Sequence, residues 1–277
     1  MDCYFLKGIC MMAKTPYILL FLLPGLCYAQ SNTAQPDPCA DLLAVLNRPT
    51  VADSVCSVKP GKVIIESGVA YQSLSANDGH GFDLPETLIR FGLPLGNEIN
   101  VFVPNYIRQN STEDGTISGS TATIVGLKHQ FLARNKWVYA AESIFTMPSG
   151  SDNFGSNAMG FAVNGIVDYS FTSSISATFM AGLTSETVSY HDGGGRYNSF
   201  NPDLVLDWEP TNNLQFYVEI YGQTKTAPEE HDGYNADVGI QYLITKNIEV
   251  DVEYGHRLTG ELAGFSHYFG VGGGIRF

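Results

Sequence analysis

The chain has 277 residues, 44% of them hydrophobic and 16% charged, with 28 acidic against 15 basic side chains and a net charge of −13. So acidic a chain has no basic stripe to neutralise phosphates, which excludes nucleic acid as a partner class. A mean hydropathy of −0.01 matches neither a polar disordered chain nor a bundle of apolar spanning helices, whereas 15 Tyr and 16 Phe suit a chain of many strands.

The first element is an apolar block at residues 17–26, preceded by Lys14 and followed by Cys27, Tyr28 and Ala29. Its length of about ten residues suits the core of a secretory signal, roughly 7–15 residues, and falls short of the roughly 18 needed to cross a bilayer as a helix. Residues 1–29 are therefore predicted to be a signal peptide cleaved after Ala29; bulky Leu26 argues against lipidation of Cys27. Cleavage removes Cys3, Cys10 and Cys27 and leaves Cys39 and Cys56, which are predicted to pair as a disulfide in an oxidising compartment.

Residues 30–61 form a distinct segment. Asp37 reads as a helix cap, Pro38 as the first helical position, and Leu42, Leu43, Val45 and Leu46 as the buried face of one short disulfide-stapled helix. Two roles remain open from the residues alone: a folded periplasmic extension, or a plug reaching into a pore.

From residue 62 to the end the apolar period is two. The pattern begins with Val63, Ile65, Val69 and Tyr71 against Glu66, Gly68 and Gln72, and it persists to Phe269, Val271, Ile275 and Phe277 against Gly270, Gly272, Gly274 and Arg276. Twelve such strands are predicted. Brief turns at 95–97, 133–135, 172–173, 210–212 and 245–247 alternate with longer polar loops at 73–85, 109–120, 148–157, 187–198, 226–233 and 258–266. That regular alternation is the habit of an outer-membrane barrel, with short periplasmic turns and long extracellular loops. The fold class expected is all-β: a 12-stranded antiparallel transmembrane β-barrel spanning residues 62–277, in the outer membrane of a Gram-negative-type cell.

Which face is apolar decides between a membrane barrel and a soluble one. The polar face carries Glu66, Arg90, Lys128, Glu142, Asp168, Asp203, Asp207, Glu219, Asp237, Glu249, Asp251, Glu253 and Arg276, too many charges for a dry core. They are predicted to line the lumen, with ten acids against three bases, a wall that favours cations; inward Tyr217, Tyr221 and Tyr268 would fill much of a barrel this narrow. The competing reading is a plugged lumen whose acids pair with Arg90, Lys128 and Arg276. Outward aromatics near strand ends, Tyr71, Trp137, Tyr169, Phe171, Trp208 and Tyr242, suit interfacial girdles against outer-membrane lipid. The last strand ends on Phe277, the form of terminal strand recognised by outer-membrane assembly machinery.

Several segments carry a family likeness: residues 86–96 (ETLIRFGLPLG), 125–131 (VGLKHQF), 145–154 (FTMPSGSDNF), 235–247 (NADVGIQYLITKN) and 270–277 (GVGGGIRF). Together they resemble the outer-membrane transporter family named for the meta-pathway of phenol degradation. The resemblance covers most of residues 62–277 and implies a barrel that passes small hydrophobic, often aromatic, compounds. Met147, Pro148, Ser149 and Gly150 depart slightly from the Pro-Thr-Gly form associated with that family.

Catalytic and metal chemistry find little support. No His-x-Ser-Asn arrangement occurs, and the adjacent pairs His191–Asp192 and His231–Asp232 fall in loops, where such pairs are usually solvated. His80, His191 and His231 share no coordinating spacing, and His129 is placed on the lipid face. No metal, cofactor or enzymatic activity is expected. Two functions of different class follow: a passive channel for small solutes, or a structural or surface-interaction barrel acting through acidic loops such as residues 228–232.

Overall fold

A computed structural model of the chain describes residues 37–75, 79–112, 115–131, 133 and 136–277. The predicted signal peptide and residues 30–36 lie outside the described residues. One short helix, α1 (Leu42–Val45), precedes fifteen strands among the described residues. These are β1 (Val63–Leu74), β2 (Gly79–Leu84), β3 (Leu88–Leu93), β4 (Asn97–Phe102), β5 (Tyr106–Ser111), β6 (Gly115–Ser120), β7 (Ile124–Gln130) and β8 (Trp137–Thr146). There follow β9 (Gly160–Ser170), β10 (Ile175–Thr187), β11 (Arg196–Thr211), β12 (Leu214–Gln223), β13 (Gly233–Thr245), β14 (Ile248–Thr259) and β15 (Phe265–Arg276).

The fifteen segments make twelve barrel strands. β2 and β3 both pair with β1, β5 and β4 pair with β2 and β3 in turn, and β6 and β7 pair with β5 and β4. Each of these couples is one barrel strand interrupted for three residues, at 85–87, 103–105 and 121–123. Backbone bonding crosses the interruptions: Val103 N–H donates to Thr87 O at 2.8 Å, Thr121 N–H to Asn105 O at 2.9 Å and Met147 N–H to Thr123 O at 2.9 Å. Closure comes from β15 pairing with β1, from Ile64 opposite Arg276 to Leu74 opposite Phe265, and the N–H of Phe277 adds a bond to Val63 O at 2.9 Å. All pairings are antiparallel, and a closed barrel leaves no row of unpaired amides to face lipid.

Side chains alternate as a period of two demands. On β14, Ile248, Val250, Val252 and Tyr254 are exposed on the outside while Glu249, Asp251 and Glu253 are buried inside. On β12, Val218 and Ile220 are 51% and 54% exposed, and Glu219 between them is 1% exposed. An apolar outer face with a charged interior inverts a soluble protein and is stable only against lipid. The expected girdle residues sit on that outer face, where the Trp137 and Tyr169 rings lie 4.4 Å apart and Trp208 stacks on Phe216 at 5.4 Å.

The strand count expected from the sequence is met, but two expected loops are largely strand. Residues 79–84 form β2, and β5 and β6 extend the third and fourth barrel strands across most of 109–120 as a hairpin that carries Asn110 bonded to Thr116. This ladder runs beyond the apolar outer row, so backbone pairing continues without alternating hydropathy to announce it. Near the N-terminus, Asp37 does not cap the helix. Its carboxylate accepts from Cys39 N–H at 3.0 Å and its carbonyl from Ala40 N–H at 3.1 Å, closing a turn, and α1 begins only at Leu42.

Candidate functional site

The barrel interior is the candidate site, and residues 39–58 share it. Cys39 and Cys56 are disulfide-bonded with Cα atoms 5.5 Å apart, folding the segment back on itself. Its apolar side Leu42, Val45, Leu46, Ala52, Val55 and Val58 packs with inward Ile64, Val138, Ala140, Ile166, Met180, Val205 and Tyr217 in one buried cluster. Apolar inward positions thus sit where the segment lies against the wall.

Its polar backbone is met by wall carboxylates and amides. Glu66 accepts from Asn47 N–H at 2.9 Å and Arg48 N–H at 2.7 Å, Glu219 from Val51 and Ala52 N–H at 2.9 and 2.8 Å, and Glu98 from Val58 N–H at 2.6 Å. Gln130 accepts from Ser57 N–H at 2.8 Å, Gln241 donates to Arg48 O at 2.8 Å, and Lys128 donates to Ser54 O at 3.0 Å. Bonds between ionised side chains and backbone groups in a dry setting are roughly twice as strong as neutral ones.

Two basic centres organise the wall. Arg90 is fully buried between Glu66 at 3.0 Å and Glu98 at 2.8 Å, and it also donates to the carbonyls of Val45 and Cys56; Lys128 stands 3.5 Å from Glu98. Arg48, from the inserted segment, bridges Glu86 at 2.9 Å, Asp251 at 3.1 Å and Glu253 at 3.4 Å. Burial opposes the charge of Arg48, but those three carboxylates hold its guanidinium above the usual range.

The remaining sequence-selected residues fall as follows. Glu142 is buried and accepts from Asn100 at 2.7 Å; Asp168 is half-buried and accepts from Thr178, and Asp207 is half-buried and accepts from Gln215. Asp203, Asp237 and Glu249 are buried with oxygens that no hydrogen bond from the described residues reaches. Arg276, half-buried, meets no carboxylate among the described residues. It donates to the carbonyls of Ala40 and Lys246 and to Asn247 at the turn end, so the pairing weighed for it with lumen acids is not what the structure shows. Tyr217, Tyr221 and Tyr268 are buried, and the Tyr268 hydroxyl donates to Asp237 at 2.8 Å. Two of these rings lie flat along the wall because the cross-strand neighbour is glycine: a Cβ on Gly239 would collide with Tyr217, and one on Gly255 with Tyr268.

Sequence reasoning missed Glu98, Arg48, Glu86 and also Asp53, a carboxylate that accepts from the side-chain amide of Asn47. Glu98 is in period with Asn100, but it stands one residue from a predicted turn; Arg48 and Asp53 belong to a segment with no period. No group of His, Cys, Asp or Glu that could hold a metal ion occurs among the described residues.

Comparison with known proteins agrees with this architecture. The KdgM porin superposes with a TM-score of 0.52 at 13% identity, covering 77% of this chain and 99% of that one. The NanC porin does so with a TM-score of 0.52 at 11% identity, covering 77% and 98%. At such identities the likeness is one of fold. No curated protein matches the sequence. A closed twelve-strand barrel with an apolar exterior belongs in the outer membrane of Gram-negative cells, as a porin-like barrel. Residues 46–277 match the family model described as "Putative MetA-pathway of phenol degradation", and the chain belongs to that family.

Proposed function

We propose that the protein is a passive channel for small solutes whose narrow acidic interior favours cations, with residues 37–61 inserted as a plug that sets its bore. The observation that carries this reading is the charged inner row of a closed barrel. Asp203, Glu219, Asp237, Glu249, Asp251 and Glu253 lie on neighbouring strands β11, β12, β13 and β14, and among the described residues Arg48 is the one basic side chain that forms an ion pair with this group. Low-dielectric walls focus the field of such a row and raise the local cation concentration. Small hydrophobic aromatic compounds, the class suggested by the family's description, are compatible with the inward tyrosines. A polyanion such as the oligogalacturonate bound to KdgM in a related structure is disfavoured by this wall.

Planar-bilayer recording tests the proposal. Conductance from the folded protein is expected, and deletion of residues 37–61 should raise it severalfold. A sealed bilayer containing folded protein overturns the channel; unchanged conductance after the deletion overturns the plug. The interior occupancy by residues 39–58 favours the second reading, a structural or surface-interaction barrel acting through its extracellular loops, if the bilayer stays sealed.

A further inference from the structure

At the turn end of the barrel, the periplasmic end by loop length, the inserted segment does not fill the interior. A cavity of about 290 Å³ remains between that segment, the start of β1, the β13–β14 turn and the end of β15. Its size is at the small end of ligand-holding clefts, which run from roughly 300 to 1,000 Å³. Val45, Val58 and Ile64 form its apolar side, all buried. Its charged side chains are Lys59, Lys62, Lys246 and Arg276, and no acid among the described residues lines it. The register explains why four bases meet there. Arg276 on β15 is directly opposite Ile64 on β1, and Lys62, two residues before Ile64, shares its inward phase. Lys62 N–H bonds to Lys59 O at 3.0 Å, which turns Lys59 onto the same cavity, and Arg276 holds the turn that carries Lys246 by donating to Lys246 O at 2.9 Å.

These charges are not spent on the protein itself. Lys62 and Lys246 form no ion pair among the described residues. Arg276 donates to neutral oxygens alone, from Nε to Asn247, from Nη1 to Ala40 O and from Nη2 to Lys246 O, which leaves one N–H on each terminal nitrogen and a whole positive charge unanswered. Lys59 meets Asp37 at 3.1 Å, but that pair is about half exposed and screened by water. Glu249, the inward acid of β14 nearest this turn, has Asp251, Glu66 and Arg48 as its charged neighbours, not the bases of the cavity. Three unanswered cations and one weakly answered cation around a small cavity with an apolar side call for a compact anion of more than one charge. A carboxylate brings a single charge on two oxygens, whereas a phosphate group brings two charges and oxygens in several directions, suited to an arginine fork and separate lysine ammoniums. We infer that this cavity binds a phosphate group, held by Arg276, Lys62, Lys246 and Lys59. Its bases come from both the inserted segment and the barrel rim, so the bound group touches both. The site does not depend on conduction through the barrel.

The test uses the full barrel folded in a nonionic detergent, titrated calorimetrically at pH 8 in phosphate-free buffer with about 0.1 M sodium chloride, where unspecific attraction is screened beyond about 10 Å. Inorganic phosphate, nitrate and the short-chain lipid dihexanoyl phosphatidate are titrated separately. Saturable binding of inorganic phosphate is expected, roughly tenfold tighter or more than nitrate, a planar monoanion. Lys62→Gln with Lys246→Gln should weaken it roughly tenfold or more. Lys136→Gln with Lys225→Gln removes the same charge away from the cavity and should leave it unchanged. Should the first pair fail to migrate as a folded barrel, Lys246→Gln alone, in an exposed turn, serves instead and is expected to weaken binding severalfold. Saturation by the phosphatidate without saturation by inorganic phosphate upholds the phosphate site and assigns it to a lipid headgroup. Failure of both to saturate, equal affinity for phosphate and nitrate, or equal loss in the two double variants overturns the site. A saturable site in a barrel that leaves bilayers sealed overturns the channel and spares the site, while conduction without phosphate binding does the reverse.

Discussion

At the scale of single residues, Arg90 governs the interior. It is fully buried, reaches two carboxylates and two carbonyls, and thereby ties β3 to β1, β4 and the inserted segment. A buried ion pair gains little over a well-packed apolar replacement, but removing one partner leaves the others charged and unsolvated. Arg90→Ala should therefore lower stability by about 3–5 kcal/mol, read as a shift in the urea unfolding midpoint by tryptophan fluorescence. A variant as stable as the parent would mean that water reaches Glu66 and Glu98. Arg90 and Glu66 were legible in the sequence because each occupies the inward phase of an unbroken alternation. Arg48 was not legible. Nothing in the residues around it fixes a period or a direction, and its partners Asp251 and Glu253 lie more than 200 positions away in the chain.

At the scale of elements, the same contrast separates what hydropathy announces from what it leaves silent. Lipid demands an apolar residue at every second position, so strands such as β12 and β14 declare themselves, face included. Beyond the lipid the outer row is free to be polar, and the β5–β6 hairpin, with Arg108, Asn110, Thr116 and Ser118, reads as loop although its ladder is continuous. The inserted segment is held neither by propensity nor by period. Its helix has one turn, Asp41 at its start supplies no side-chain cap, and tertiary bonds do the rest. Its compactness depends on the Cys39–Cys56 disulfide across a separation of 17 residues. A loop of this size limits the unfolded chain by about 3 kcal/mol. With Cys39→Ser and Cys56→Ser together, residues 39–58 should loosen while the barrel persists, because the barrel's own ladder contains neither cysteine. Proteolysis of the folded variant should accelerate cleavage within 39–58 severalfold and leave β1 to β15 intact; equal protection of the segment would show that the wall contacts alone hold it.

At the scale of the molecule, the acidic excess of the chain has a place. A net charge of −13 on a soluble domain would keep the surface solvated. Here much of it is turned inward, where β11 to β14 form an acidic sector and Arg48 is the one base that answers it among the described residues. In the proposed channel, charge in that sector would set selectivity, and Asp251 and Glu253 are the positions at which changing it says most. Both face Arg48, so Asp251→Asn with Glu253→Gln removes two negative charges and also leaves the guanidinium with Glu86 as its remaining ion-pair partner. The local sign moves toward positive. In a salt gradient across a planar bilayer, the reversal potential of the double variant should shift toward zero or beyond it, away from cation preference. The shift should be larger at about 0.1 M salt, where screening acts over about 10 Å, than at about 1 M, where it acts over about 3 Å. An unchanged reversal potential at low salt would overturn the assignment of selectivity to Asp251 and Glu253.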